Sequence, residues 1–237
     1  QLISLDCSGN TALRNIDVSS LSVLQSLNLT GCDLQSLDVT HNTALTTLLC
    51  NDNSIPALDV RNSTALVTLE CNTNVLTSLN VTYNTLLQKL DVSSNSLQAV
   101  NVRSNPALTW LNVSGNSAVN VLNVSNNPAL AELRAAGLSI SDIDLSANTA
   151  LTYLDLSENA GIVQLDLSGN VALTYLDLSE NTEITQLDLS ANTGLITLGI
   201  NNHNTDLSIL IFPEFYANCS IYTKEYDCLN ISNSVNI

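Results

Sequence analysis

The sequence contains few basic residues, few aromatic residues and no methionine. Only 6 of its 237 residues are Lys or Arg, against 22 Asp or Glu, which gives a formal net charge of −16. A surface this negative repels phosphate backbones and anionic lipids, so nucleic acid and membrane surfaces are not expected partners. Charged residues make up 12% of the chain, against a usual share of about 25%. Asn, Ser and Thr must therefore supply most of the polar surface.

Long apolar runs and targeting signals are missing as well. No stretch of about 18 apolar residues occurs, so no membrane insertion is predicted. No charged and then apolar leader opens the chain. Because there is no methionine and the chain begins at Gln1, we expect it to be a processed product or an excerpt of a longer protein. Hydrophobic residues account for 45% of the sequence, which argues against intrinsic disorder.

A short phrase, Leu-x-(Val/Leu/Cys), recurs along most of the chain. Nineteen copies follow one another in steps of 10 or 11 residues, the first beginning at Leu5 and the last at Leu198. The alternation of apolar and polar residues within each copy is typical of a short strand. An Asn usually follows five residues after the first Leu, where its amide can satisfy backbone groups exposed by a bend. Because ten residues leave no room for a helix, we expect extended or turn-like chain on both sides of each coil.

This spacing matches the leucine-rich repeat, L-x-x-L-x-L-x-x-(N/C)-x-L, in a short form of 21 or 22 residues. More narrowly, the segment HNTALTTLLCNDNSIPALDVRNSTALVTLECNTNVLTSLNVTYN resembles the internalin J type of bacterial cell-surface repeat. That family alternates an L-x-C-x-x-N strand with an L-D-V-S-x-N strand. The resemblance covers about residues 1–202 and implies a right-handed, mostly β solenoid with little helix and an extracellular recognition or adhesion role. The family's cysteine ladder is kept at Cys7, Cys50 and Cys71, and apolar residues replace it from Val92 onward.

The composition changes near residue 204. Residues 1–203 are predicted to form the leucine-rich-repeat solenoid of about nine and a half coils, with short strands on both sides of each coil. Residues 204–237 hold both phenylalanines and three tyrosines, and we predict that they cap the last coil. Within this segment Cys219 and Cys228 are predicted to form a disulfide. In the solenoid itself, Leu138 stands where the pattern requires Asn, which predicts a local change of turn.

Signals for catalysis are weak. The chain has two histidines, His41 and His203, and both stand at turn positions of the repeat rather than beside a nucleophile. It has no glycine-rich phosphate loop, zinc-ligand spacing or nucleophile elbow. We therefore predict a non-enzymatic protein without a cofactor.

The outward positions of alternate strands predict a binding site. Small polar residues there give way to aromatic and charged ones in the middle of the chain, and interfaces are enriched in Trp, Tyr and Arg. The predicted binding residues are Lys89, Trp110, Glu132, Arg134, Tyr153, Asp155, Tyr175 and Asp177. The alternative is that these residues form an ordinary solvated face. The predicted partner is a protein or a glycan.

The other strands carry a column of acidic or amide residues on their outward side. Its members are Asp17, Asp38, Asp59, Asn80, Asn101, Asn123, Asp144, Asp166 and Asp188. Stacked carboxylates repel one another, so this column either binds calcium or, as we expect, is relieved by neighbouring hydroxyls and turn amides.

N-glycosylation sequons mark a further set of surface positions. They begin at Asn28, Asn62, Asn80, Asn112, Asn123, Asn218 and Asn230. Chance sequons are expected in a sequence so rich in Asn, Ser and Thr. A glycan on Asn112 would cover the neighbourhood of Trp110 and so conflicts with the predicted binding site.

The first coil is predicted to be uncapped at the N-terminal end. Its Leu2 and Leu5 would be covered either by residues of a longer protein or by self-association with another chain. The second possibility supports an alternative function, in which the solenoid is a structural subunit or rigid spacer of an extracellular fibre or surface layer.

Overall fold

A computed structural model describes residues 2–201, together with the backbone of 209–211 and 220–222. Within these residues the chain forms strands and turns and no helix. The fifteen strands are β1 (Ser4–Asp6), β2 (Ser26–Asn28), β3 (Thr47–Leu49), β4 (Thr68–Glu70), β5 (Lys89–Asp91), β6 (Val100–Asn101), β7 (Trp110–Asn112), β8 (Leu122–Asn123), β9 (Glu132–Arg134), β10 (Tyr153–Asp155), β11 (Tyr175–Asp177), β12 (Gln186–Asp188), β13 (Thr197–Gly199), β14 (Ile209–Ile211) and β15 (Ser220–Tyr222).

One side of the solenoid is a continuous parallel sheet. Eleven strands pair in the order β1-β2-β3-β4-β5-β7-β9-β10-β11-β13-β15, one from each successive coil. The register follows the sequence repeat, so that Leu69 lies beside Leu48 on one side and Leu90 on the other. This stacking of consecutive coils confirms the predicted β solenoid.

The second side has less regular pairing. Among the described residues β6 pairs with β8, and β12 pairs with β14. Elsewhere on this side some neighbouring coils are joined by one or two backbone hydrogen bonds, such as the bond from Ser54 N–H to Leu34 O. Short strands on both sides are therefore present at these positions and not in every coil. The inward side chains of the second side are buried even where strands are not paired, as at Ile143 and Leu145.

The core is a single stack of inward-facing aliphatic side chains. In β4, Leu69 points inward and is fully buried, while Thr68 and Glu70 stand half-buried on the outer face. Cys71 follows as the second inward residue and is 1% exposed. No coil can bury its apolar side alone, so each depends on both neighbours.

Buried asparagines form the predicted rows along both corners of the coils. Asn74 donates from Nδ2 to Cys50 O at 2.9 Å and to Cys71 O at 3.1 Å, and its Oδ1 accepts the N–H of Ile55 at 2.9 Å. In the other row, Asn105 donates to Val81 O and to Asn84 O. These amides satisfy backbone carbonyls that the turns leave without a strand partner.

The turn before the row that contains Asn74 holds a left-handed residue in each coil whose turn the structure describes. Glycine supplies it four times, as at Gly137 with a φ of 62°, and five non-glycine residues supply it elsewhere. The change of turn predicted at Leu138 is therefore wrong. Gly137 keeps both the left-handed φ and the bond from its N–H to Ser157 O, so the turn does not need the Asn amide. Leu138 itself is buried among the core residues.

The first coil is less buried than those that follow. Leu2 is 44% exposed and Ile3 is 55% exposed, and Leu5 is half-buried where Leu27 of the next coil is fully buried. Within residues 2–15 no helix or hairpin lies across this coil, and β1 pairs only with β2 among the described strands.

At the other end, β14 and β15 add a further strand to each side of the solenoid. Both lie inside the segment for which the sequence predicts a cap. Cys219 and Cys228, and with them the predicted disulfide, lie outside the described residues. The same is true of His203.

Candidate binding surface

The main sheet positions the predicted site because its repeat places equivalent residues side by side. Lys89 lies in register with Trp110, Trp110 with Glu132, Glu132 with Tyr153, and Tyr153 with Tyr175. A second column, two residues further along each strand, holds Arg134, Asp155 and Asp177 in the same way. All eight predicted residues are half-buried on the outer face, and the structure brings them into one continuous surface. We call these eight residues the aromatic face.

Planar and cationic side chains stack along the aromatic face. The rings of Tyr153 and Tyr175 are 4.1 Å apart between centroids and 4° from parallel. Arg134 Cζ lies 4.5 Å from the centroid of Tyr153 and 6.0 Å from that of Trp110. Lys89 Nζ lies 4.8 Å from the Trp110 centroid. Cation–π and stacking contacts therefore join five side chains from five successive coils.

Two acidic residues neutralise the cations of this stack. Lys89 Nζ is 2.6 Å from Glu70 Oε1, and Arg134 Nε is 2.6 Å from Glu132 Oε1. Glu70 was not among the residues that the sequence predicts for the site. Its place on β4, beside Asp91 and one coil before Lys89, is the signal that could have identified it. These pairs restrict the cations to positions over the rings.

The far end of the stack carries two carboxylates, Asp155 and Asp177, that form none of the ion pairs among the described residues. Asp155 and Asp177 each accept the N–H two residues further on, from Ser157 and Ser179, at 3.0 and 2.9 Å. Burial raises the pKa of Tyr175, and the hydrogen bond with Tyr153 and the negative charges of Asp177 and Asp155 raise that pKa further. The Tyr175 phenol is therefore neutral at physiological pH.

The acidic column on the second side is relieved as the sequence predicts. Asp38 Oδ1 accepts the N–H of Thr40 at 2.9 Å and its hydroxyl at 2.6 Å, and Asp166 accepts the N–H of Ser168 at 2.9 Å. Hydrogen bonds from the side chains of Thr40 and Ser168 lower the pKa of these two carboxyls most, and the bonds from the backbone N–H groups lower it further. Among the described residues, no group of three or more His, Cys, Asp or Glu side chains is placed to hold a metal ion.

The sequons divide into exposed and half-buried positions. Asn62 and Asn80 are exposed, and Asn28, Asn112 and Asn123 are half-buried. Asn112 Nδ2 lies 3.2 Å from Ser93 Oγ and 3.4 Å from Asp91 Oδ2, inside the second column of the sheet. The remaining two sequons, Asn218 and Asn230, lie outside the described residues.

The cysteines of the solenoid are free thiols. Cys7, Cys32, Cys50 and Cys71 form no disulfide, as predicted for the three inward ladder positions. Cys32 replaces an Asn of the first row, and its Sγ donates to Cys7 O at 3.3 Å as the amides do in later coils.

Comparison with known proteins identifies the repeat. A Leucine Rich repeat family profile matches residues 83–100. The functional domain of internalin J from Listeria monocytogenes, whose structure includes a cysteine ladder, superimposes with a TM-score of 0.76 at 32% identity. The chain has the leucine-rich-repeat fold, and its repeats are similar to those of internalin J. The match covers 89% of this chain and 53% of the internalin J chain, so this leucine-rich-repeat protein spans about half the length of that relative.

Two other structures share the fold of this leucine-rich-repeat protein. Internalin C2 of Listeria monocytogenes matches with a TM-score of 0.68 at 24% identity, over 75% of this chain and 80% of its own. The leucine-rich-repeat domain of APL1B matches with a TM-score of 0.71 at 22% identity, over 93% and 70%. A search of curated protein sequences gave no match. Among the described residues, no helix is long and apolar enough to span a membrane.

Proposed function

We propose that this protein is a non-enzymatic, extracellular or cell-surface recognition or adhesion module that binds a protein or glycan through the aromatic face. The observation that supports this function best is the continuous stack of Lys89, Trp110, Arg134, Tyr153 and Tyr175. The leucine-rich-repeat fold is commonly a protein-binding module, and solenoids bind partners through extended surfaces of this kind.

The stack is suited to binding because it is ordered before a ligand arrives. Its rings and cations restrict one another, so a partner does not have to pay the full entropy of fixing them. Large aromatic side chains with polar edges also supply contact area with few rotatable bonds. An ordinary solvated face of this fold carries small polar side chains, as the first coils do at Ser4, Ser26 and Thr47.

A location outside the cell is supported by the relatives rather than by the site. The relatives include internalins of Listeria monocytogenes, and the repeats of internalin J resemble those of this chain over most of its length. Glycosylation of the sequons would be consistent with this location in an organism that glycosylates secreted proteins. A glycan on Asn112 would cover part of the aromatic face, so we expect Asn112 to be unmodified in the binding-competent protein.

Selection followed by substitution tests the proposal. Ligands are selected for the intact chain from a random peptide display library and from a glycan array. The variants Trp110→Ala, Tyr153→Ala and Tyr175→Ala are then compared with the parent chain. Hot-spot aromatic residues cost more than about 1 kcal/mol when truncated, so each variant is expected to bind at least about fivefold more weakly.

Tyr83→Ala is the matched control. Tyr83 is 55% exposed and stands in a turn, away from the outer face of the main sheet. Its removal is expected to leave binding unchanged. Parent-like affinity in all three site variants, or an equal loss in the Tyr83 control, would contradict binding through the aromatic face.

The alternative function, a structural subunit or spacer of a fibre or surface layer, is supported by the first coil. Leu2 and Ile3 are largely exposed there, and the outer edge of β1 pairs with no described strand. Strand edges of this kind are templates for another chain. Light scattering separates the two functions by the mean molar mass. A recognition module is expected to remain monomeric, whereas fibre subunits are expected to form longer assemblies as the protein concentration rises.

A further inference from the structure

Among residues 2–201, the aromatic stack ends at Tyr175, beside two positions with small residues. Tyr153 covers one face of the Tyr175 ring at 4.1 Å. On the other side, the registered neighbours of Tyr175 and Asp177 are Thr197 and Gly199. Among residues 2–201, no second ring and no cation lies over Tyr175. We call the place formed by Tyr175, Asp177, Thr197 and Gly199 the terminal notch.

The carboxylate of Asp177 lies at the base of the terminal notch, in the space that a side chain at position 199 would fill. A Cβ added to Gly199 would collide with Oδ1 and Cγ of Asp177. Asp177 therefore leans from β11 toward β13, the same direction in which the second face of the Tyr175 ring points. The absence of a side chain at Gly199 is what allows this position. The notch thus combines an aromatic face with an adjacent carboxylate.

The same chain shows what fits such a combination. One coil before Tyr153, the guanidinium of Arg134 lies 4.5 Å from the Tyr153 ring and bonds to the carboxylate of Glu132 at 2.6 Å. A planar cation thus stacks on one face of the tyrosine pair and is paired with an acid. On the opposite face of the pair, the terminal notch offers a ring and an acid, and no cation of residues 2–201 lies over that ring.

The charge of the chain also favours a cation from outside. The whole sequence has 6 basic residues against 22 acidic ones. Within the described residues, four of the basic side chains are held in ion pairs, and the carboxylates of Asp155 and Asp177 are in none of them. Those four are Arg14, Arg61, Lys89 and Arg134. The Tyr175 end of the aromatic face is therefore complementary to positive charge.

We propose that the terminal notch binds the guanidinium of an arginine side chain of a protein partner. Arginine fits better than lysine because its planar group can stack on Tyr175 while donating two hydrogen bonds to the Asp177 carboxylate. This inference rests on the proposed function, since it names the group that one end of the aromatic face takes. If the notch takes arginine, the partner is a protein with an exposed arginine rather than a neutral glycan.

Three peptides of equal length test the proposal on the intact chain. They are an Arg-Gly repeat, a Lys-Gly repeat and a citrulline-Gly repeat, and their affinities are measured by isothermal titration calorimetry at physiological ionic strength. Citrulline keeps the planar shape of arginine without its charge. The arginine peptide is expected to bind at least about threefold more tightly than the lysine peptide, and the citrulline peptide to bind most weakly.

Two substitutions remove the notch in different ways. Asp177→Asn removes its charge, and Gly199→Ala displaces the carboxylate by steric contact. Both are expected to reduce the arginine-to-lysine preference to about one, while circular dichroism and urea midpoints confirm folding. The matched control is Asp188→Asn, because Asp188 lies on the second side and accepts the N–H of Ser190 just as Asp177 accepts that of Ser179.

The outcomes separate this inference from the function on which it rests. Equal affinities for the arginine and lysine peptides in the parent chain would overturn the notch, because non-specific attraction to a chain of −16 net charge does not distinguish them. An equal loss in Asp188→Asn and Asp177→Asn would overturn it as well. If Trp110→Ala, Tyr153→Ala and Tyr175→Ala all leave the affinity for the library ligands unchanged, the proposed function itself would be overturned.

Discussion

The asparagine rows predict a large penalty for a single buried substitution, Asn116→Ala. Asn116 is fully buried, and its Nδ2 donates to Val92 O at 3.0 Å and to Val113 O at 2.8 Å. Its Oδ1 accepts the N–H of Leu97 at 3.0 Å. The substitution therefore removes three hydrogen bonds to backbone groups inside the solenoid.

The magnitude follows from the cost of leaving such groups unpaired. A buried polar group without a partner costs about 1–3 kcal/mol. Val92 O still accepts from Asn95 Nδ2, so the substitution leaves two groups unpaired, Val113 O and Leu97 N–H, and is expected to lower the free energy of unfolding by about 2–6 kcal/mol. Asn105 bonds to two carbonyls and no N–H, so Asn105→Ala is expected to cost less. Asn62 is exposed and donates once, to Thr40 O, so Asn62→Ala serves as control with an expected cost below about 1 kcal/mol.

Urea unfolding provides the measurement. Trp110 is the only tryptophan and lies in the same coil as Asn116, so its fluorescence reports this coil, and far-ultraviolet circular dichroism reports the whole solenoid. The fluorescence and circular dichroism transitions must coincide before a two-state free energy of unfolding is calculated, because long repeat arrays can unfold without full cooperativity. A cost for Asn116→Ala equal to that for Asn62→Ala would refute the structural role assigned to the rows.

Other predictions concern thiols and phenols. Burial raises the pKa of Cys50 to about 12 and raises that of Cys71, so a thiol reagent at neutral pH is expected to label the half-buried Cys7 before either. Peptide mapping that finds a Cys50–Cys71 disulfide would contradict the assignment of these cysteines as free thiols. The same mapping is expected to find the Cys219–Cys228 disulfide. Burial also raises the pKa of Tyr175 above its unfolded value, so stability is expected to fall as pH rises past about 10. Phenolate absorbance is titrated in the parent chain and in Tyr175→Phe. If the variant loses no phenol that ionises above the usual tyrosine range, the raised pKa does not belong to Tyr175.

The sequence by itself determined the fold and which residues share one column of the main sheet. A period of 10 or 11 residues requires coils that stack, and stacking puts residues 21 or 22 apart side by side. Lys89, Trp110, Tyr153 and Tyr175 therefore had to fall in one column of one sheet. The Asn positions likewise predicted the buried rows, because a tight turn must satisfy its own backbone groups.

The tertiary structure alone decided how those side chains meet. Side-chain torsions depend on the neighbours across the sheet, which the repeat period does not specify. Only in the structure does Arg134 lie over Tyr153, and only there does Asp177 occupy the space that Gly199 leaves. The turn at Leu138 was mispredicted for a related reason. A left-handed residue and a backbone hydrogen bond hold that turn, and the Asn that marks it elsewhere satisfies the backbone carbonyls and N–H group around it.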